Sequence, residues 1–144
     1  MNIIKFNGVP NEKIIEFESK IGFKLPDDYV RFLQEVNGGV PRKRYSLFNV
    51  KELNREIPLD VLFGLEVNDA SFDLSKIYDE FSDDLLENSL IIGDDPGGGF
   101  IVLIANKGIY YWDHTYYFEE SSDEKNIYFI ANNFTEFING LINP

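Results

Sequence analysis

The chain has 144 residues, 44% of them hydrophobic and 15% aromatic, which suits one domain with a real core and excludes a disordered chain. With no cysteine, disulfides, thiolate metal sites and a cysteine nucleophile are excluded. The net charge of −12 disfavours nucleic acid and anionic lipid as partners and favours a basic protein.

The first residues, "MNIIKFNGVPNEK", lack a basic head, a long apolar stretch and a small-residue cleavage site, so no signal peptide is expected. No apolar run reaches the ~18 residues of a membrane span. A cytoplasmic location is the simplest expectation.

In "PNEKIIEFESKIG" the spacing of Ile14, Phe17 and Ile21 predicts a helix, with Asn11 as its cap and Gly22 at its left-handed end. "FKLPDDYVRFLQEVNGG" predicts a second. Pro26 suits its first position, Asp27 and Asp28 suit the positive end of its dipole, and Tyr29, Phe32, Leu33 and Val36 form its apolar stripe. Asn37, Gly38 and Gly39 stop it. A cationic turn through Arg42, Lys43 and Arg44 leads to expected strands at Tyr45 to Val50 and Asp60 to Val67. Leu74, Ile77, Phe81 and Leu85 then predict a helix whose other face is acidic; Lys76 is the one base between residues 66 and 95.

From Ser89 the period changes. "SLIIG", "FIVLIA", "GIYYWDH" and "NIYFIA" read as short strands separated by turns, with Asn106 to Gly108 as a hairpin turn. Phe134, Phe137, Ile138 and Leu141 close the chain with a helical stripe, capped by Asn132 or Asn133. The expected fold is α+β: a single domain over 1–144, with a central, mainly antiparallel sheet flanked by helices.

Charge is uneven along the chain. Residues 1–60 sum to +1 and residues 61–144 to −13. Within the acidic part lies "IIGDDPGGGFIVLI", Ile91 to Ile104. A phosphate loop would need a helix after its glycines, with Lys and Ser or Thr. Here a strand follows and two aspartates stand where phosphate would sit. Asp94 and Asp95, with Asp113 and His114, offer oxygen and nitrogen donors but no diagnostic metal spacing; His114 is the one histidine. The plainest reading is a connection between two neighbouring strands, in which Pro96 blocks a ladder N–H and the glycines permit positive φ. No G-x-S-x-G occurs, and carboxylate pairs discriminate nothing in so acidic a chain. Neither an enzyme, a metal nor a cofactor is expected. In "YYWDH", Tyr110, Trp112 and His114 share one face and Tyr111 and Asp113 the other. Core packing is the plain reading of these aromatics, and an exposed binding hot spot the functional one.

The order of motifs resembles the SUKH superfamily, which includes fungal cell-wall-synthesis regulators and many bacterial immunity proteins. The resemblance is carried by "IGFKLPDDYVRFLQEVNGG", "IIGDDPGGGFIVLI", "IYYWDH" and the final "ANNFTEFINGLI"; residues 45–88 match nothing in the pattern. It implies a non-catalytic protein that binds a cognate toxin domain, often a nuclease, and occludes its active site. The alternative it implies is a regulatory scaffold for an endogenous protein, as in the fungal members. Combined with charge, it places partner binding at Asp94, Asp95, Gly97, Gly98, Gly99, Trp112, Asp113 and His114, widened by Asp83, Asp84 and Glu87 from an acidic helix between Asp79 and Glu87. The partner expected is a basic toxin domain.

Overall fold

A computed structural model describes residues 3–42, 46–113 and 126–142. Its strands are β1 (Ile3–Lys5), β2 (Gly39–Pro41), β3 (Ser46–Val50), β4 (Arg55–Leu59), β5 (Val61–Leu62), β6 (Ser89–Asp94), β7 (Phe100–Ile104), β8 (Gly108–Trp112) and β9 (Ile127–Ala131). Its helices are α1 (Asn11–Ile21), α2 (Asp27–Glu35), α3 (Leu74–Phe81) and α4 (Phe134–Asn139). Seven strands form one antiparallel sheet in the order β1-β2-β5-β6-β7-β8-β9, and β3 and β4 form a separate hairpin. The α+β expectation therefore holds.

The central strands are apolar without alternation because both faces of the sheet are covered. All five residues of β7 are buried. On the Trp112 face, Phe81 from the end of α3 packs edge-on against Phe100 and Trp112, with ring centroids 4.9 and 6.5 Å away. On the opposite face Tyr111 meets Phe48 of β3, and Phe48 meets Phe137 of α4. Phe134 of α4 then packs on Tyr29 and Phe32 of α2, which seats the whole aromatic stripe of that helix in the core.

Local chemistry explains most of the element ends. Gly22 ends α1 in the left-handed region, and the Asn133 side chain caps α4 by accepting from the Glu136 N–H at 2.8 Å. Asn11 is the first helical residue of α1, with Pro10 at the cap, and Pro26 caps α2 from just outside it. Proline suits such positions because it has no N–H to leave unpaired.

Three expectations change. The strand at Asp60 to Val67 shrinks to Val61–Leu62, because Leu65 is drawn into a loop clamp by Asn37. The helix running to Glu87 stops at Phe81, followed by a 3-10 turn at Ser82–Asp84. Strands β1, β2 and β4 had no periodic signal.

Candidate functional site

The stretch from Asp94 to Phe100 is the tight connection of an antiparallel hairpin, with Asp94 opposite Phe100. The Asp95 N–H donates to the Gly99 carbonyl at 2.9 Å, and the Gly98 N–H donates to the Asp95 carbonyl at 3.2 Å. Pro96 thus occupies the second position of a β-turn, where its fixed φ is favourable, and Gly98 follows at φ 97°, a left-handed value suited to glycine. The strand-connection reading of the glycines is the one the structure shows.

Asp95 points inward. Its carboxylate accepts the Tyr111 hydroxyl through Oδ2 and the Gly99 N–H through Oδ1 at 3.1 Å. The residue is 6% exposed. Burial first, and then the bond to Asp95, push the Tyr111 hydroxyl well above its ordinary range. Gly99 has no room for a side chain: a Cβ there would overlap the Tyr111 hydroxyl. The third glycine is thus dictated by a buried tyrosine–aspartate bond. Gly97 and Gly98 are exposed, and with Pro96 they present backbone to solvent.

Asp94 is half-buried, on the strand β6 edge that meets β5. The Asp60 N–H donates to its backbone carbonyl at 2.9 Å, which brings the two aspartates side by side. Its Oδ1 is buried and meets no donor among the described residues. Burial, then the neighbouring Asp60 carboxyl and the charge of Asp95, push the Asp94 carboxyl up to about 7; the Val61 N–H opposes the shift. Asp113 follows β8, half-buried, with its N–H on the Asn126 carbonyl at 2.9 Å, and its charge reaches the Tyr111 hydroxyl. Arg55 of β4 brings a positive charge to the same hydroxyl.

The structure therefore brings Asp94, Asp95, Gly97, Gly98, Gly99 and Asp113 to one end of the sheet. Trp112 is there too, but at 7% exposure it is core and no surface hot spot. The inward position of Asp95 and the burial of Gly99 likewise correct their expected place on the binding surface. Asp83 and Asp84 follow Phe81, whose ring lies on Phe100 and Trp112. Glu87 is separated from the group: it precedes Ser89, and β6 then spans roughly 17 Å before reaching Asp94. His114 lies outside the described residues. Asp60 and Arg55 were missed from sequence, since neither sits in a motif; only the strand pairing brings them in.

These groups supply charge, a half-buried carboxyl with a raised pKa and exposed backbone. Among the described residues no group of three or more acidic or histidine side chains is arranged to hold a metal. A groove of about 540 Å³ lies at the opposite end of the sheet, lined by Lys24, Pro26, Asp27, Asp28, Lys107 and Asn133 among others.

A family model described as SMI1 / KNR4 family (SUKH-1) matches residues 8–140. The chain is also 31% identical over 155 residues to the SPbeta prophage-derived uncharacterized protein YokK of Bacillus subtilis (strain 168), an alignment covering 92% of this chain and 74% of that protein.

Proposed function

Because the chain belongs to the SMI1 / KNR4 family (SUKH-1), whose proteins generally bind partner proteins, we propose that it is a non-catalytic immunity protein. It neutralises a cognate toxin domain, a basic nuclease, by covering the active site. The observation that carries this reading is the net charge of −13 over residues 61–144, which complements a cleft built to grip phosphates. The contact surface is centred on the exposed backbone of Pro96 to Gly98, flanked by Asp94, Asp113, Asp83 and Asp84. Asp95 and Gly99 serve it from beneath by fixing the turn, and Trp112 packs on Phe100, the first residue of the following strand.

Co-expression with toxin domains encoded beside the gene tests the reading. Rescue of growth together with a stoichiometric complex is the expected result, and failure to rescue against every neighbouring toxin overturns it. The surface has a separate test. Replacing both Asp83 and Asp84 by lysine is expected to slow association several-fold at low salt, with the difference fading as salt rises. Unchanged association at low salt would remove this face from the interface.

A further inference from the structure

The junction of β5 and β6 borders the proposed contact surface through Asp94. It consists of two register pairs, Val61 with Asp94 and Leu62 with Gly93. It is nevertheless what joins β1 and β2 to the rest of the sheet. At its outer end stand Asp60 and Asp94, adjacent across the strands. A buried carboxylate oxygen without a donor, beside two further carboxylates, is an unfavourable anion.

The charged and titratable groups around Asp94 come from each packed segment. Asp60 lies between β4 and β5, and Asp95 is the next residue in the chain. Tyr111 comes from β8, its O–H donating a hydrogen bond to Asp95, and Asp113 directly follows that strand. Arg55 comes from β4, its charge reaching the Tyr111 hydroxyl. The Val61 N–H is a single neutral donor to the Asp94 carboxyl.

We propose that Asp94 is held protonated and donates its O–H to the Asp60 carboxylate, and that this bond latches the β5–β6 junction beneath the glycine turn. With the proton present, the two side chains are bonded across the strands. Without it, two like charges face each other at the end of a two-residue ladder, and the junction opens. The latch is a pH-sensitive device, closed in mild acid and released above neutrality. It stands whatever partner the outer surface takes.

Carboxyl-carbon NMR on the full chain, titrated from pH 4 to pH 9, tests it. One aspartate carboxyl is expected to titrate with a midpoint near 7, and Asp60→Asn is expected to move that midpoint down. Hydrogen exchange supplies the second readout, at the Asp60 and Phe63 amides, which donate to Asp94 and Ile92 across the junction. Their exchange is expected to rise between pH 6 and pH 8 by roughly tenfold more than base catalysis alone gives, and Asp94→Asn should abolish that excess. The proposal is overturned if every aspartate titrates below about pH 5, or if the excess survives in Asp94→Asn.

Discussion

Two glycine-rich turns brace this fold, and they are braced differently. At Asn37 to Gly39, the clamp is a neutral amide. The Asn37 Nδ2 donates to the Asn7 and Leu65 carbonyls at 2.9 and 2.8 Å, and its Oδ1 accepts the Leu65 N–H at 2.8 Å. Every capacity that the pocket asks of it is used, at 1% exposure and φ 58°. At Asp94 to Gly99, the clamp is a set of acids. Asp95 is satisfied by Tyr111 and Gly99, while Asp94 retains an oxygen with no donor among the described residues. The amide turn is indifferent to pH. The acid turn depends on where a proton sits, and that dependence lies at the end of the sheet proposed here to meet a partner.

The comparison breaks first at the amide. Asn37→Ala leaves the buried N–H and carbonyl of Leu65, and the carbonyl of the more exposed Asn7, without this partner and is expected to cost about 3 kcal/mol, equally at pH 5 and pH 8. Urea unfolding at both pH values would show it, and a loss confined to one pH would contradict the neutral clamp. Tyr111→Phe removes one donor from a buried carboxylate and is expected to cost about 2 kcal/mol.

Asp94→Asn sharpens the comparison through its sign. The folded-state carboxyl is raised from 3.8 to about 7, so its stabilising effect is full below about pH 4. It declines as pH rises through 7 and is gone above. Thermal midpoints should therefore show the variant gaining on the parent as pH rises from 5 to 8; a constant gap would exclude the shift. The smallest effect is expected at Tyr29, whose hydroxyl is buried with no partner among the described residues and pushed upward by burial alone. Tyr29→Phe relieves that desolvation and should stabilise by up to about 1 kcal/mol, with no pH dependence between 5 and 8. A destabilised variant would mean that the hydroxyl has a partner.

Legibility in the sequence followed length and period. The stripe of α2 and the run of strands from Ser89 were clear, because apolar residues recur there at helical or strand spacing over many positions. Strands β1 and β2 have three residues each and no room for a period, and Pro58 within β4 argues against a strand except at an edge like the one it occupies. The turn at Pro96 to Gly98 could be read locally, since its geometry is set by its own residues. Which way its acids point could not. Asp95 turns inward for a tyrosine sixteen residues away, and Asp94 is matched with Asp60, which only the sheet register brings alongside. The same distance effect removed Glu87 from the group: an acid close in sequence was carried to the far end of β6.

The strand order carries a consequence for the time course of folding. Strands β6, β7 and β8 are joined by successive tight hairpins, so their closure costs little chain entropy. β1 and β2 reach this block only through the two-residue β5. The cheap nucleus thus lies in the later half of the chain, and α1, α2 and β1 emerge first during synthesis with no sheet to dock upon. Pulse-labelling is expected to protect the Ile101 to Tyr111 amides before those of Val40 and Leu62. The early segments are then the ones most in need of shielding until the strands after Ser89 have been made.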